Sequence, residues 1–245
     1  MTGPGGAVGP RRTVLVCGTG TEVGKTWVAS RLLEELRVRG LSVSARKPAQ
    51  SFDVDAAGVR MGGATDAEEL GRASGEPPDV VCRPSRSYLR AMAPPMAAEA
   101  LGLPAFTVAD LMDELVWPDH PVDVGLVETA GGIRSPQAAD GDVTELVSAL
   151  RPDLVVLVAD AGLGTINGVR LSMAALRSVD ALAPGERLPG SSPTIPVVTV
   201  LDRFDARHDI HRRNLQWLRE RDGFDVVTLP GEMTALADRV VDTGV

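Results

Sequence analysis

The sequence has 245 residues and a hydrophobic content of 44%, which is enough for one α/β domain with a buried core. Its 33 acidic residues outnumber the 25 basic ones, and the net charge of −8 argues against binding to nucleic acid or to an anionic membrane surface. No apolar run approaches the roughly 18 residues of a membrane-spanning helix, and residues 1–10 lack the apolar centre of a signal peptide, so a cytoplasmic protein is expected.

The ends of the chain and its cysteines and histidines carry little further chemistry. Residues 1–12 are predicted to be a disordered tail before a single domain over residues 13–245. Cys17 and Cys82 lie far apart in the sequence, so neither a disulfide framework nor a metal site is expected from them. The three histidines also lack a convincing metal-ligand spacing (His120, His208 and His211).

A glycine-rich stretch, GTGTEVGKT over residues 18–26, stands between a predicted strand at 14–17 and a predicted helix at 28–39. Such a turn aims backbone N–H groups and the positive end of the helix dipole at one point, which suits a phosphate. Lys25 can reach the β- and γ-phosphates of a nucleotide, and the Thr26 hydroxyl can bind Mg²⁺. The loop is one residue longer than the common phosphate loop. A dinucleotide fingerprint fits worse, because it does not call for the Lys-Thr pair.

Two further charged residues follow at places where ligands bind. A strand predicted at 41–45 ends at Lys47-Pro48, and the carboxyl ends of strands in an open parallel sheet face the ligand crevice. Residues 51–65 are predicted to be a mobile loop. Asp66 then begins a helix, where a helix cap and a metal ligand both remain open. Residues 84–95 are predicted to be a loop, and 96–101 and 108–116 helices.

Glu128 ends the next predicted strand, at 122–127, and is followed by Thr129, an alanine and two glycines. An acidic residue at this position, in a chain with a phosphate loop, is suited to hold Mg²⁺ directly or through water. Residues 133–142 are predicted to be a polar loop that closes over the site.

The rest of the chain alternates strands with helices. Strands are predicted at 154–159, 195–201 and 226–229, and helices at 211–221 and 235–241, with a surface insertion at 183–193. The segment 160–167 leads into a further helix that runs to about Val179. This order predicts an α/β fold with a doubly wound, mostly parallel sheet flanked by helices, as in phosphate-loop NTPases. The helix amino end at Gly164–Asn167 faces the carboxyl edge of that sheet and suits a substrate carboxylate.

Together these residues make the chain resemble the dethiobiotin synthetases, ATP-dependent carboxylases among the phosphate-loop NTPases. The resemblance lies in an ordered set of motifs over most of residues 13–240, namely the long loop, Lys47-Pro48 with Ser51 behind it, Asp66, Glu128-Thr-Ala-Gly-Gly and Gly164-Thr-Ile-Asn167. This family joins CO₂ to 7,8-diaminopelargonate as a carbamate, phosphorylates it with ATP and closes a ureido ring with the second amine. The resemblance therefore implies ATP, Mg²⁺, a small diamine and a homodimer.

The resemblance also implies roles for individual residues. Lys25 would hold the transferring phosphate, and Lys47 would stabilise charge on the carbamate and the phosphoryl group. Metal ligands would be Thr26, Asp66 and Glu128. The nucleotide would contact Thr21, Glu22, Val23, Gly24, Lys25, Thr26, Pro230 and Gly231. The substrate would contact Ser51, Thr129, Gly131, Gly164, Thr165 and Asn167, the last three across a dimer interface.

Several positions depart from the family pattern. Thr129 stands where the family commonly has glycine, Leu201 where an asparagine reads adenine, and Phe52 follows Ser51. These departures leave open a diverged paralogue that carboxylates another amine. A partition-type ATPase would carry a second lysine where this chain has Gly20. A regulatory module without catalysis would be expected to lose Lys47 or the acidic pair, which are present.

Overall fold

The computed structural model describes residues 9–182 and 195–242, so the predicted insertion at 183–193 and most of the predicted tail lie outside the described residues. Six strands form the main sheet: β1 Arg12–Gly18, β2 Val43–Arg46, β5 Val124–Glu128, β6 Leu154–Asp160, β7 Val197–Asp202 and β8 Val226–Thr228. Two short strands, β3 Gln50–Ser51 and β4 Ser87–Tyr88, form a separate pair. The helices are α1 Lys25–Val38, α2 Asp66–Ser74, α3 Pro78–Val81, α4 Pro94–Ala100, α5 Val108–Glu114, α6 Val143–Leu150, α7 Thr165–Leu182, α8 Asp209–Gln216 and α9 Met233–Asp242.

The main sheet is parallel throughout and has the order β2-β5-β1-β6-β7-β8. From β1 the chain runs to the edge strand β2 and returns to β5, which lies between β2 and β1. It then crosses to the other side of β1, where β6, β7 and β8 follow in order. Winding in two directions leaves a crevice at the carboxyl ends of the strands beside the point of reversal. The predicted fold class is confirmed, and the loop that follows β1 lies at this crevice.

Helices cover both faces of the sheet, because its strands are apolar on both sides. In β1, Leu15 and Cys17 face one buried cluster while Val14 and Val16 face the other, as expected from the alternation of side chains along a strand. The predicted apolar face of α1 is fully buried in the second cluster (Val28, Leu32, Leu33 and Leu36). These contacts fix α1, and with it the phosphate loop, against β1.

Among the residues that the structure describes, the sequence patterns missed several short elements. Strands β3 and β4 have two residues each, too few to show an alternating pattern, and α3 has only four. Helix α6 was also missed, although Asp142 and Glu145 form a capping box at its start. Within the described ranges, no helix is both long enough and apolar enough to cross a membrane.

Candidate active site

The phosphate loop joins β1 to α1 in a conformation that depends on Gly24. This residue caps α1 with a φ of +96°, in the left-handed region that favours glycine. A Cβ at this position would collide with the carboxylate of Asp202 at the end of β7. Only glycine therefore allows the loop to lie this close to Asp202. This contact places the loop at the carboxyl edge of the sheet.

Lys25, the first residue of α1, folds back over the loop. Its ammonium group donates a hydrogen bond of 2.9 Å to the carbonyl of Gly20, and the side chain is buried. Burial and the nearby charge of Lys47 lower the pKa of Lys25. A cation held inside the turn in this way is suited to an anion placed against the loop amides.

Lys47 follows β2 and is almost completely buried at the end of the sheet. Its ammonium lies 2.7 Å from Glu128 Oε1, 2.7 Å from Asp66 Oδ2 and 3.1 Å from the carbonyl of Thr129, which accounts for its three protons. Burial alone would lower the pKa of Lys47, but the two carboxylates outweigh it and hold the pKa above its ordinary value. Lys25 and Lys47 are also the only lysines in the sequence.

Three oxygens converge beside this ammonium group. Thr26 Oγ1 lies 2.9 Å from Asp66 Oδ1 and 2.9 Å from Glu128 Oε1. A hydroxyl has one proton, so Thr26 can donate to only one of these carboxylates at a time. Glu128 Oε2 is buried without a hydrogen-bond partner in the described structure. This excess of acceptor oxygens over donors favours a cation at the cluster.

The charges of the two carboxylates depend on their surroundings. The charge of Lys47 lowers the pKa of Asp66, whereas burial raises the pKa of Glu128 against the opposing effect of Lys47. Among residues 9–182 and 195–242, no three His, Cys, Asp or Glu side chains cluster as a metal site. A metal held by Thr26, Asp66 and Glu128 would therefore take further ligands from water or phosphate, as Mg²⁺ commonly does.

Asp66 reaches the cluster because another residue caps its helix. Thr65 is the N-cap of α2, and its hydroxyl accepts a hydrogen bond from the backbone N–H of Glu68. In return, the backbone N–H of Thr65 donates a hydrogen bond to the carboxylate of Glu68, which completes a capping box. The interpretation of Asp66 as the helix cap is therefore wrong. Its side chain turns instead toward Lys47 and Thr26.

The segment after Glu128 forms one wall of the crevice. Gln137 is buried, and its side-chain amide accepts a hydrogen bond from the backbone N–H of Ala130 and donates one to the backbone carbonyl of Ala130. Gly131 has a φ of +63°, and a Cβ at this position would collide with the side chain of Ser135. Ile133 at the start of the predicted 133–142 loop is buried as well. The loop was predicted to be polar and to close over the site, but its buried residues anchor it beside the site.

A cavity of about 790 Å³ runs along these elements. It brings together ten residues predicted from the sequence: Thr21, Glu22, Gly24, Lys25, Thr26, Lys47, Ser51, Asp66, Glu128 and Gly131. It is also lined by residues that the sequence patterns missed, which are Trp27, Gln50, Ala91, Met92, Ala93, Pro94, Ala130, Ser135 and Arg203. The 91–94 segment reaches the cavity because the Ser51 hydroxyl donates to the carbonyl of Met92 at 2.6 Å.

The structure does not bring the remaining predicted residues to this cavity within the described ranges. Thr129 is fully buried behind it. Pro230 lies in an adjoining groove. Gly164 and Asn167 are exposed at the start of α7, whereas the Thr165 side chain is buried. The others that do not line the cavity are Val23 and Gly231.

Leu201 cannot influence the choice of base, contrary to the expectation from the sequence. Its side chain is fully buried in the core between the sheet and its helices. Because strand side chains alternate, the next residue, Asp202, is the one that meets the phosphate loop. Burial raises the pKa of Asp202.

Comparison with known proteins identifies similar sequences. A family model described as "AAA domain" (AAA_26) matches residues 12–184. The ATP-dependent dethiobiotin synthetase BioD of Rhodococcus jostii (strain RHA1) is 40% identical over 184 residues, covering 75% of each chain. The protein of the same name from Caulobacter vibrioides (strain NA1000 / CB15N) is 36% identical over 186 residues, with 72% of this chain and 81% of the relative covered. The protein of the same name from Haloferax mediterranei is 34% identical over 222 residues, with 88% of this chain and 82% of the relative covered.

Proposed function

Because this chain belongs to the ATP-dependent dethiobiotin synthetase family, we propose that it joins CO₂ to 7,8-diaminopelargonate and releases dethiobiotin, ADP and phosphate. The observation that carries the proposal is the convergence of Lys25, Lys47 and two carboxylates on one cavity that also contains the phosphate loop. A carbamate and a phosphoryl group are both anions, and the chain's only two lysines line this cavity.

The reaction divides into three steps that these residues can assist. One amine of the substrate adds to CO₂ and loses a proton, which leaves a carbamate. A carbamate oxygen then attacks the γ-phosphorus of ATP, so that ADP leaves and a carbamoyl phosphate forms. The second amine attacks the carbamoyl carbon, loses a proton and expels phosphate. Negative charge develops beside Lys25 and Lys47 in the second step, where preorganised cations contribute most.

We further propose that Thr26, Asp66 and Glu128 hold Mg²⁺ with the nucleotide. The support is the excess of acceptor oxygens at the cluster and the unpartnered, buried Glu128 Oε2. Mg²⁺ would neutralise charge on the β- and γ-phosphates. In this structure the single positive charge of Lys47 is shared by both carboxylates, so it offsets only one of their two negative charges.

Substitution of Asp66 by asparagine should raise the Mg²⁺ concentration required for half-maximal ATP turnover by about tenfold or more. The reason is that loss of a carboxylate at the metal site lowers the affinity of the site for Mg²⁺. Turnover is measured against total Mg²⁺ at saturating ATP. Glu69→Gln, on the same helix but outside the cavity lining, is the matched control and should follow the wild-type curve. An unchanged Mg²⁺ requirement in Asp66→Asn would remove Asp66 from the proposed ligands.

A homodimer is part of the proposal, with the amide-lined turn at Gly164–Asn167 receiving the remote carboxylate of the substrate across the interface. The support is two large apolar side chains exposed near this turn, Leu163 just before α7 and Leu171 on it, with Asn167 also exposed in the first turn of the helix. Leu163 is 94% exposed, so a partner subunit placed here would cover apolar area that the single chain leaves in contact with water. Sedimentation velocity of the full chain tests this association.

Incubation of the purified chain with 7,8-diaminopelargonate, bicarbonate and MgATP should give dethiobiotin, detected by mass. Omission of ATP should abolish the product. Intact nucleotide binding without product would favour a paralogue that acts on another amine, whereas loss of both would favour a regulatory module that has lost catalysis.

A further inference from the structure

Trp27 has no role in the predictions from sequence, yet it lies directly behind Thr26 in the first turn of α1. Its indole is 37% exposed and lines the main cavity. It also lines an adjoining groove of about 420 Å³, together with Pro230, which follows β8, and Met233, the first residue of α9. The ring therefore lies where the two spaces meet.

The arrangement of the strands indicates which end of ATP lies in this direction. Lys47 follows β2 and Glu128 ends β5, both on one side of β1, and they mark the place of phosphoryl transfer. Pro230 follows β8, on the opposite side of β1. With the terminal phosphates beside Lys25 and facing Lys47, the nucleoside must extend away from β2 and β5. On that side Arg203, after β7, lines the main cavity, and Trp27 lines both the main cavity and the groove that contains Pro230.

The chemistry of the groove suits a flat, uncharged ring better than a further phosphate. Arg31 sits 5.8 Å from the centroid of the Trp27 ring and is engaged at 2.8 Å by Glu34. Glu35 also lines the groove, so its acidic residues disfavour an anion. An indole face, a proline and a methionine offer apolar area on which a base or ribose can pack.

We propose that the indole of Trp27 is the surface on which the nucleoside of ATP packs, in the groove that Pro230 and Met233 complete. The inference rests on the proposed function only in taking ATP to bind with its phosphates at the loop. It assigns to Trp27 a share of nucleotide affinity that is independent of the phosphates. Aromatic stacking tolerates any base, so the contact strengthens binding without selecting the base.

The test compares ligands that contain or lack a nucleoside. Trp27→Ala should raise the Kd for ADP about tenfold, the usual size of a lost stacking contact, while the Kd for tripolyphosphate stays within about twofold. Trp27→Phe should keep most of the ADP affinity, because it retains an aromatic face. Trp217→Ala is the matched control, since Trp217 is 44% exposed and lies outside both spaces.

Fluorescence gives a second measurement that does not depend on the alanine variant folding. ADP should change the tryptophan emission of the wild type and of Trp217→Phe, and this change should disappear in Trp27→Phe. An ADP-dependent change that survives in Trp27→Phe, or equal ADP affinity in Trp27→Ala and wild type, would overturn the inference. Wild-type protein that binds neither ADP nor tripolyphosphate would instead contradict the proposed function.

Discussion

Replacement of Lys47 by methionine should lower ATP turnover by about 100- to 1,000-fold, the usual loss when one preorganised donor to a developing anion is removed. Methionine has a similar length and no charge, so it fills most of the space of the lysine. Turnover is followed as ADP release with saturating diamine, bicarbonate and MgATP. Wild-type turnover in Lys47→Met would eliminate its catalytic role.

The same substitution should also destabilise the fold by about 3–5 kcal/mol, because it leaves Asp66 and Glu128 without their buried cation. Arg60→Met is the matched control, since it removes a cation from the half-exposed Arg60–Glu68 pair and should cost about 1 kcal/mol at most. Denaturant unfolding of both variants measures the difference. A loss in Lys47→Met no larger than in Arg60→Met would mean that the buried cluster is stabilised by other contacts.

The pH dependence of this loss has a definite sign. Burial already raises the pKa of Glu128, and loss of Lys47 should raise it further. A carboxyl group whose folded pKa exceeds its unfolded pKa binds more protons in the folded state, so its contribution is present below the unfolded pKa and declines as pH rises toward the folded pKa. The free energy of unfolding of Lys47→Met should therefore fall, relative to wild type, as pH increases above the ordinary range of a glutamate.

Replacement of Lys25 by alanine should lower kcat/KM for ATP about 100- to 1,000-fold as well, because Lys25 is the cation of the phosphate loop. Its effect on stability should be small. In the described part of the chain Lys25 makes no ion pair, and its ammonium bonds only to the carbonyl of Gly20. The free energy of unfolding should change by about 1 kcal/mol or less.

This contrast separates the two lysines experimentally. Lys47→Met should lose both stability and turnover, whereas Lys25→Ala should lose turnover alone. Arg37→Ala is a control on the same helix, where a cation bonds to the carbonyl of Ala73 away from the cavity. It should keep wild-type turnover. Equal turnover in Lys25→Ala and wild type would contradict nucleotide binding at the loop.

The sequence by itself determined the parts of this protein that depend on near neighbours in the chain. The phosphate loop was predictable because strand, turn and helix all lie within residues 12–38. Its lysine, Lys25, also bonds within the loop, to the carbonyl of Gly20. Lys47 and Glu128 were predictable in a second way. Each follows an apolar strand, and parallel strands bring their carboxyl ends to one edge wherever the strands lie in the chain.

Only the tertiary structure decided the contacts whose partners are distant in sequence. A shift of one residue moves a strand side chain to another environment, which is why Leu201 is buried in the core while Asp202 meets the phosphate loop. Asp66 became a partner of Lys47 because Thr65 satisfied the helix end. In the sequence, Trp27 looks like any residue of an amphipathic helix. It lines the groove only because the sheet order places Pro230, which follows β8, beside α1. Such contacts depend on how the sheet is wound, which no local pattern of residues encodes.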